Sequence, residues 1–268
     1  MIAIVILIAA AFLIYTLAVR CRSGHSGLVA LRGWAYAHRG LHGTGVPENS
    51  MAAFRRALAG GYGIELDIHL LRDGNLAVIH DASLKRTAGA DVRIEDLRTE
   101  DLASYKLEGT DETIPTFRQV LDLFAGKAPL IVELKPVGDN VEALCQATCD
   151  MLEDYAGAYC IESFDPRCIV WLRKNKPQII RGQLAENFCK GKGKLSPLLK
   201  FVMTHHLELF LCVPDFVAYR FADRKTLGNV IARKIWGAQG VTWTLRSQED
   251  FDTAVNEGWL PIFEGFRP

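Results

Sequence analysis

Brief apolar runs that recur between longer amphipathic segments leave a chain few ways to fold, because the runs must pair as a parallel sheet covered by the intervening helices. Nine such runs occur here: Tyr36-Ala37-His38, Ile64 to Ile68, Leu76 to His80, Leu130 to Leu134, Tyr159 to Ser163, Ile179 to Gln183, Leu209 to Val213, Val241 to Thr244 and Ile262 to Glu264. A closed α/β barrel needs eight, and Arg72-Asp73-Gly74-Asn75 accounts for the surplus. Asp-Gly between two apolar runs signals a tight antiparallel hairpin. With Asp73 and Gly74 as a two-residue loop, Asp67 faces His80, and the third run leans over the barrel mouth as a return strand. The length, 268 residues, suits a single-domain barrel.

Between the runs, Asn49 or Ser50 is expected to cap a helix from Met51 to Leu58 that stops at Gly60-Gly61. Pro115 is expected in the first turn of a helix running to Phe124. The polar segment 82–113 is too long for a simple connection and reads as a lid or binding wall.

Acidic and basic side chains balance at 31 each, so no basic excess points to nucleic acid. The seven cysteines show no metal-binding spacing and read as reduced, mostly buried thiols. Ile2 to Val19 form an apolar stretch broken only by Tyr15 and Thr16, about the length that spans a bilayer core. A cleaved signal or a buried helix are the alternatives, but a signal carries its positive charge before the apolar run. Here Arg20 and Arg22 follow it. The expectation is an uncleaved transmembrane anchor over 1–22, a linker over 23–34 and a barrel domain over 35–268 on the cytoplasmic side of the membrane.

Charges cluster where the runs end. In Ile64-Glu65-Leu66-Asp67-Ile68 the two carboxylates share one face, as do Glu133 and Lys135 in Val132-Glu133-Leu134-Lys135. A divalent cation is the most direct way to keep neighbouring carboxylates ionised, and Glu65, Asp67 and Glu133 supply hard oxygen ligands for Mg²⁺ or Ca²⁺. A salt-bridged rim is the competing reading for either strand alone. Four strand ends carrying His38-Arg39, Glu65/Asp67, His80-Asp81 and Glu133/Lys135 favour a site instead, since active sites of such barrels lie at those ends. Arg39 and Lys135 suit phosphate oxygens. His38 and His80 can share proton transfer, one accepting from a nucleophilic hydroxyl and the other donating to a departing alkoxide.

In order, His38-Arg39-Gly40, Pro47-Glu48-Asn49-Ser50, Glu65-x-Asp67, Asp73-Gly74, His80-Asp81-x-x-Leu84-x-Arg86, Ile114-Pro115-Thr116 and Glu133-Leu134-Lys135 resemble the glycerophosphodiester phosphodiesterase family. The resemblance implies a TIM barrel with a small insertion after the second barrel strand, matching 82–113. It implies metal-dependent hydrolysis of glycerophosphodiesters to sn-glycerol 3-phosphate and an alcohol. His38 and His80 become the acid/base pair, Glu65, Asp67 and Glu133 the ligands of one metal ion, and Arg39 and Lys135 the phosphate contacts. The substrate's own glycerol hydroxyl attacks, giving a cyclic phosphate that water opens. Trp243-Thr244 resembles a late Trp-Thr pair of the family, which makes Trp243 a substrate contact, and Glu162-Ser163-Phe164 resembles its Glu/Gln-Ser-Phe strand. The close of the chain, Phe263-Glu264-Gly265-Phe266, yields no site assignment.

Two other readings compete. With an anchor, and the basic run Lys190-Gly191-Lys192-Gly193-Lys194 near a bilayer, the same chemistry could serve lysophospholipids or polymers of glycerol phosphate. A catalytically silent barrel that only binds phosphodiesters would be expected to lack one of the charged residues, and all are present.

Overall fold

The computed structural model describes residues 1–191 and 195–268. Three residues of the basic run noted above, 192–194, lie outside the described part. The strands are β1 (Tyr36–His38), β2 (Gly63–Leu70), β3 (Leu76–Val78), β4 (Leu130–Leu134), β5 (Tyr159–Ser163), β6 (Arg181–Ala185), β7 (Phe216–Arg220), β8 (Gln239–Leu245) and β9 (Trp259–Phe263). All but β3 pair in parallel, and β1 bonds both β2 and β9, which closes an eight-stranded barrel. β3 pairs antiparallel with β2, and its outer edge is bridged by Ala77 to Thr116. This is the expected TIM barrel with its return strand.

Within the barrel, the inward column is apolar at the bottom and acidic at the top. Tyr36, Ile131, Cys160, Phe216, Val241 and Ile262 fill the lower layers. Two residues further along their strands, Glu133 and Glu162 take the same inward direction beside Asp67, with which they are in register. The opposite faces, with Ile64, Leu66, Val132 and Leu134, pack on the surrounding helices.

Several expectations are corrected. The β2–β3 hairpin has a three-residue loop: Leu71 N donates to Asn75 O, and Ile68 pairs with Val78. Gly74 adopts φ +85°, and Asp73 Oδ1 accepts from Asn75 N, a geometry three-residue loops favour. Asp67 O therefore bonds Ile79 N, so Asp67 does not face His80, which lies beyond the end of β3. Leu209 to Val213 does not form a strand. Leu209–Cys212 is a short helix, and the seventh barrel position belongs to Phe216–Arg220. A short apolar run without β-branched enrichment does not distinguish a strand from a buried helical turn. Pro115 precedes the N-cap Thr116 of the helix Phe117–Phe124 instead of entering its first turn.

The N-terminal helix α1 spans Ile2–Ala18, 17 residues. At 1.5 Å per residue that is about 26 Å, short of the roughly 30 Å hydrocarbon core. No helix among the described residues is long and apolar enough to cross a membrane, so the expected transmembrane span is unsupported. Among the described residues, only the last turn of α1 is held. Val19 packs against Leu209, Val217 and Ile231, Tyr15 OH donates to His205 O, and Trp236 Nε1 donates to Thr16 O. Nor is 23–34 a free linker. Ser26–Leu31 forms a 3₁₀ turn that inserts Leu28 and Leu31 into the barrel floor, and Arg22 pairs with Asp215.

α2 (Met51–Ala59) follows the loop carrying the first charged residues, and Gly40 fixes how closely the two approach. At φ +79°, a Cβ on Gly40 would come within 2.9 Å of Ala53 Cβ and Phe54 Cδ1. Gly40→Ala is expected to lower stability by about 1–3 kcal/mol, the scale of a strained backbone position, read as a fall in the unfolding midpoint.

The insertion 82–113 builds a satellite core of Leu84, Ile94, Leu97, Leu102 and Leu107 against Leu71, Ala77 and Ile79. It contributes no lining residue to the main cavity. It acts as a brace, not as the wall its length suggested.

Candidate active site

A cavity of about 550 Å³ opens at the C-terminal ends of the strands, lined by His38, Arg39, Glu65, His80, Glu133, Lys135, Trp243 and residues of β5 to β8. It gathers every residue singled out from the sequence except Asp67, which sits just beneath it at 1% exposure.

Carboxylate oxygens of Glu65, Asp67 and Glu133 lie within 4.8 Å of one another. Arg39 N donates to Glu65 Oε2, and Asn49 Nδ2 donates to Asp67 Oδ2 at 2.8 Å. Asn49 is therefore a site residue, and the capping expected of Asn49 or Ser50 falls to Ser50, whose Oγ accepts from Ala53 N. Lys135 Nζ stands 3.0 Å from Asp67 Oδ1 and 2.7 Å from Glu133 Oε1. Those ion pairs satisfy charge, yet neither oxygen accepts a well-directed hydrogen bond although both are buried. Two buried oxygens with unfilled lone pairs, in an all-carboxylate donor set, fit a hard divalent cation.

The titration behaviour describes the same strain. Burial, with Asp67 and Glu133 adding repulsion, holds Glu65 well above the ordinary carboxylate range. Burial also pushes Glu133 up to about 7, against the pull of Lys135. Asp67 is held well below its ordinary value despite burial, because Lys135, His80 and Arg39 surround it. One anion is thus neutralised by the site's own cations, and the remaining carboxylates need a further positive charge to ionise together.

Each histidine leans on a carboxylate through Nδ1. His38 Nδ1 lies 2.6 Å from Glu264 Oε2, and His80 Nδ1 lies 2.6 Å from Asp81 Oδ1. The hydrogen bond from His38 brings Glu264 down to about 2, so the carboxylate accepts and Nδ1 carries the proton. The other ring nitrogen is left for the cavity, with His38 Nε2 3.9 Å from Glu65 Oε2. Each carboxylate is in turn held by an arginine, Arg246 on Glu264 and Arg86 on Asp81. Arg86 also grips Glu48 through both terminal nitrogens, and Glu48 Oε1 accepts from Arg39. The insertion thereby fixes both His80 and Arg39 through one side chain.

Glu264, Asp81, Glu48, Arg86 and Asn49 were not assigned site roles from the sequence. For Arg86, Glu48, Asn49 and Asp81 a signal exists, since they stand in the motifs that mark the resemblance. Glu264 Oε2 is a partner only because β9 closes beside β1. Glu264→Gln is expected to lower kcat by about 10- to 100-fold with KM little changed, the scale for groups that orient a functional imidazole. Steady-state kinetics read the split.

Away from the carboxylates the cavity wall changes character. Trp243 meets Phe164 edge to face at 5.6 Å, and its buried Nε1 has no partner. Beyond them Arg220 pairs with Glu186 at 3.2 Å on the rim. Glu162 Oε2 is buried without a partner, and burial beside Glu133 raises its carboxyl well above the ordinary range. All seven cysteines are free and only Cys189 is exposed.

Residues 38–263 match the model of the glycerophosphoryl diester phosphodiesterase family. Lysophospholipase D GDPD1 of Rattus norvegicus is 36% identical over 132 residues, 44% of this chain and 40% of that protein. Glycerophosphodiester phosphodiesterase 1 of the same species is 30% identical over 245 residues, 81% of this chain and 72% of that protein. An Oleispira antarctica phosphodiesterase, solved in complex with the product sn-glycerol-3-phosphate, has the same fold: TM-score 0.70 over 86% of this chain and 92% of that one, at 22% identity. The chain spans less than half the length of several curated relatives that it matches.

Proposed function

The chain belongs to the glycerophosphoryl diester phosphodiesterase family, and from that premise we propose that it hydrolyses glycerophosphodiesters to sn-glycerol 3-phosphate and an alcohol, using one divalent ion. The observation that carries this is the buried Glu65, Asp67 and Glu133 triad with unfilled lone pairs beside two carboxylate-oriented histidines.

In this reading the triad holds the cation, Mg²⁺ or Ca²⁺, which when bound polarises a non-bridging phosphate oxygen. Arg39 and Lys135 neutralise the remaining phosphate charge, and both are already fixed in place by Glu48, Asp67 and Glu133. Burial lowers both imidazoles below their ordinary value, so each is predominantly neutral at pH 7 and has a lone pair at Nε2. One neutral ring takes the proton of the attacking glycerol hydroxyl on its Nε2 lone pair, the other gives its Nε2 proton to the departing alcohol from the imidazolium form, the minority at pH 7, and the roles reverse when water opens the cyclic phosphate. Trp243 and Phe164 cover the glycerol side of the substrate.

Lysophospholipids are the second reading, favoured by the exposed apolar helix α1 and by the relative named lysophospholipase D. Glycerophosphocholine and lysophosphatidylcholine, offered separately with Mg²⁺, distinguish them by the rate of glycerol 3-phosphate or lysophosphatidate release. Turnover of neither, with the metal bound, contradicts both.

We also infer that α1 associates with a lipid bilayer and keeps the barrel at the cytoplasmic face. Ile2 to Ile14 project without cover, with Ile2 77% and Ile14 68% exposed, more apolar surface than a water-facing helix ordinarily shows. Full-length protein is expected to float with anionic liposomes, and protein lacking 2–14 to remain in the soluble fraction. Equal flotation of the two removes the inference.

A further inference from the structure

We propose that His38, His42 and Glu264 form a second cation site, suited to a borderline ion such as Zn²⁺, whose filling arrests proton transfer at His38. One ligand atom from each of the three lies within 4.8 Å of the others. Among the described residues this is the one such group besides the carboxylate triad. His42 does no work in the proposed reaction, yet its Nε2 is buried and has no hydrogen-bond partner. The loop holds it there: His42 N donates to Gly40 O, and Gly43 and Val46 close the turn by exchanging backbone hydrogen bonds.

The two donor sets differ in kind. Three carboxylates favour Mg²⁺ or Ca²⁺, whereas two imidazoles and one carboxylate favour Zn²⁺, Co²⁺ or Ni²⁺. Zinc bonds nitrogen and oxygen at about 2.0–2.2 Å, which sets tetrahedral ligand atoms roughly 3.3–3.6 Å apart. The 2.6 Å contact between His38 Nδ1 and Glu264 Oε2 must therefore open, and His42 must close in by side-chain rotation. Arg246 opposes a cation here, since its Nη2 donates to both Glu264 oxygens, Oε1 at 3.1 Å and Oε2 at 3.2 Å, and it must swing aside, which its 64% exposed side chain is free to do.

Coordination takes the Nδ1 lone pair of His38, so the ring's single proton moves from Nδ1 to Nε2 as the metal takes its place. Nε2 then has no lone pair to accept another proton, so the acid–base cycle stops. Inhibition rests on the proposed reaction; binding does not. The test therefore carries two readouts on the full-length protein at saturating Mg²⁺. In the first, Co²⁺ titration is followed by visible absorption. Wild type is expected to develop bands of a nitrogen-ligated ion that are lost in both His42→Ala and His42→Gln. In the second, Zn²⁺ inhibits wild-type turnover, and the same substitutions preserve basal activity while raising the inhibitory concentration at least tenfold. An unchanged Co²⁺ spectrum in both variants overturns the site, as does Zn²⁺ inhibition that is indifferent to residue 42. Protein inactive toward glycerophosphodiesters that still shows the His42-dependent spectrum keeps the site and discards the reaction.

Discussion

His38→Ala and His80→Ala are each expected to lower kcat by about 100- to 10,000-fold, the range that positioned acid–base groups supply, while Mg²⁺ affinity stays near the wild-type value. Neither ring belongs to the carboxylate triad, so losing it removes proton transfer and leaves the cation's ligands intact. The pH dependence carries a sign. Burial pushes both imidazoles down, and Arg39 opposes their charging as well, as does Lys135 at His80. As pH falls, the ring acting as base becomes protonated only below the ordinary imidazole value near 6.5. The acid limb of kcat/KM therefore lies below about pH 6.5 in wild type and disappears from the residual activity of the variant that lacks the base. A limb unmoved by either substitution would assign it to a different group.

Glu65→Gln is expected to act in opposite directions on activity and stability. Turnover falls by about a thousand-fold or more, because polarisation by a held cation contributes several kcal/mol to phosphoryl chemistry. Metal-free stability rises. In the native protein Glu65 holds its proton well above the ordinary range, and Glu133 holds its own up to about 7. In the unfolded chain both release it near the ordinary Glu value of about 4.3. Such groups favour the folded state fully below that value, and the advantage is lost as pH rises through the native value. The replacement amide does not titrate, so with EDTA present the unfolding midpoint of the variant should exceed that of wild type by a margin that grows from pH 5 to pH 8. Added Mg²⁺ should raise the wild-type midpoint and leave the variant unmoved. A variant less stable at every pH would mean that Glu65 is held by hydrogen bonds stronger than its single contact with Arg39 N.

How far the sequence could be read follows from which contacts are local. Alternation within β2 and β4 places Glu65, Asp67 and Glu133 inside the barrel without reference to the rest of the chain. The reading failed where pairing depended on one residue of register or on a distant strand. Asp-Gly predicted a hairpin but not whether two or three residues turn it, and that choice moved His80 off the position opposite Asp67. Leu209 to Val213 is the more apolar run, and taking it as the strand hides Arg220, which ends the true strand Phe216–Arg220 at the cavity rim. Glu264 was not legible, because its meaning is its 2.6 Å contact with a residue at the other end of the chain. The apolar N-terminal stretch is legible as a helix from its composition, but at 17 residues α1 is about one turn short of a bilayer span.

The central claim is that the carboxylate triad and the two histidines cleave a glycerophosphodiester on its alcohol side. Following the purified protein with glycerophosphocholine by ³¹P NMR tests it directly. The account predicts the substrate resonance replaced by that of sn-glycerol 3-phosphate, with a cyclic glycerol phosphate signal passing between them, and no change while EDTA is present. Appearance of phosphocholine, or undiminished turnover with the divalent ion removed, would contradict it.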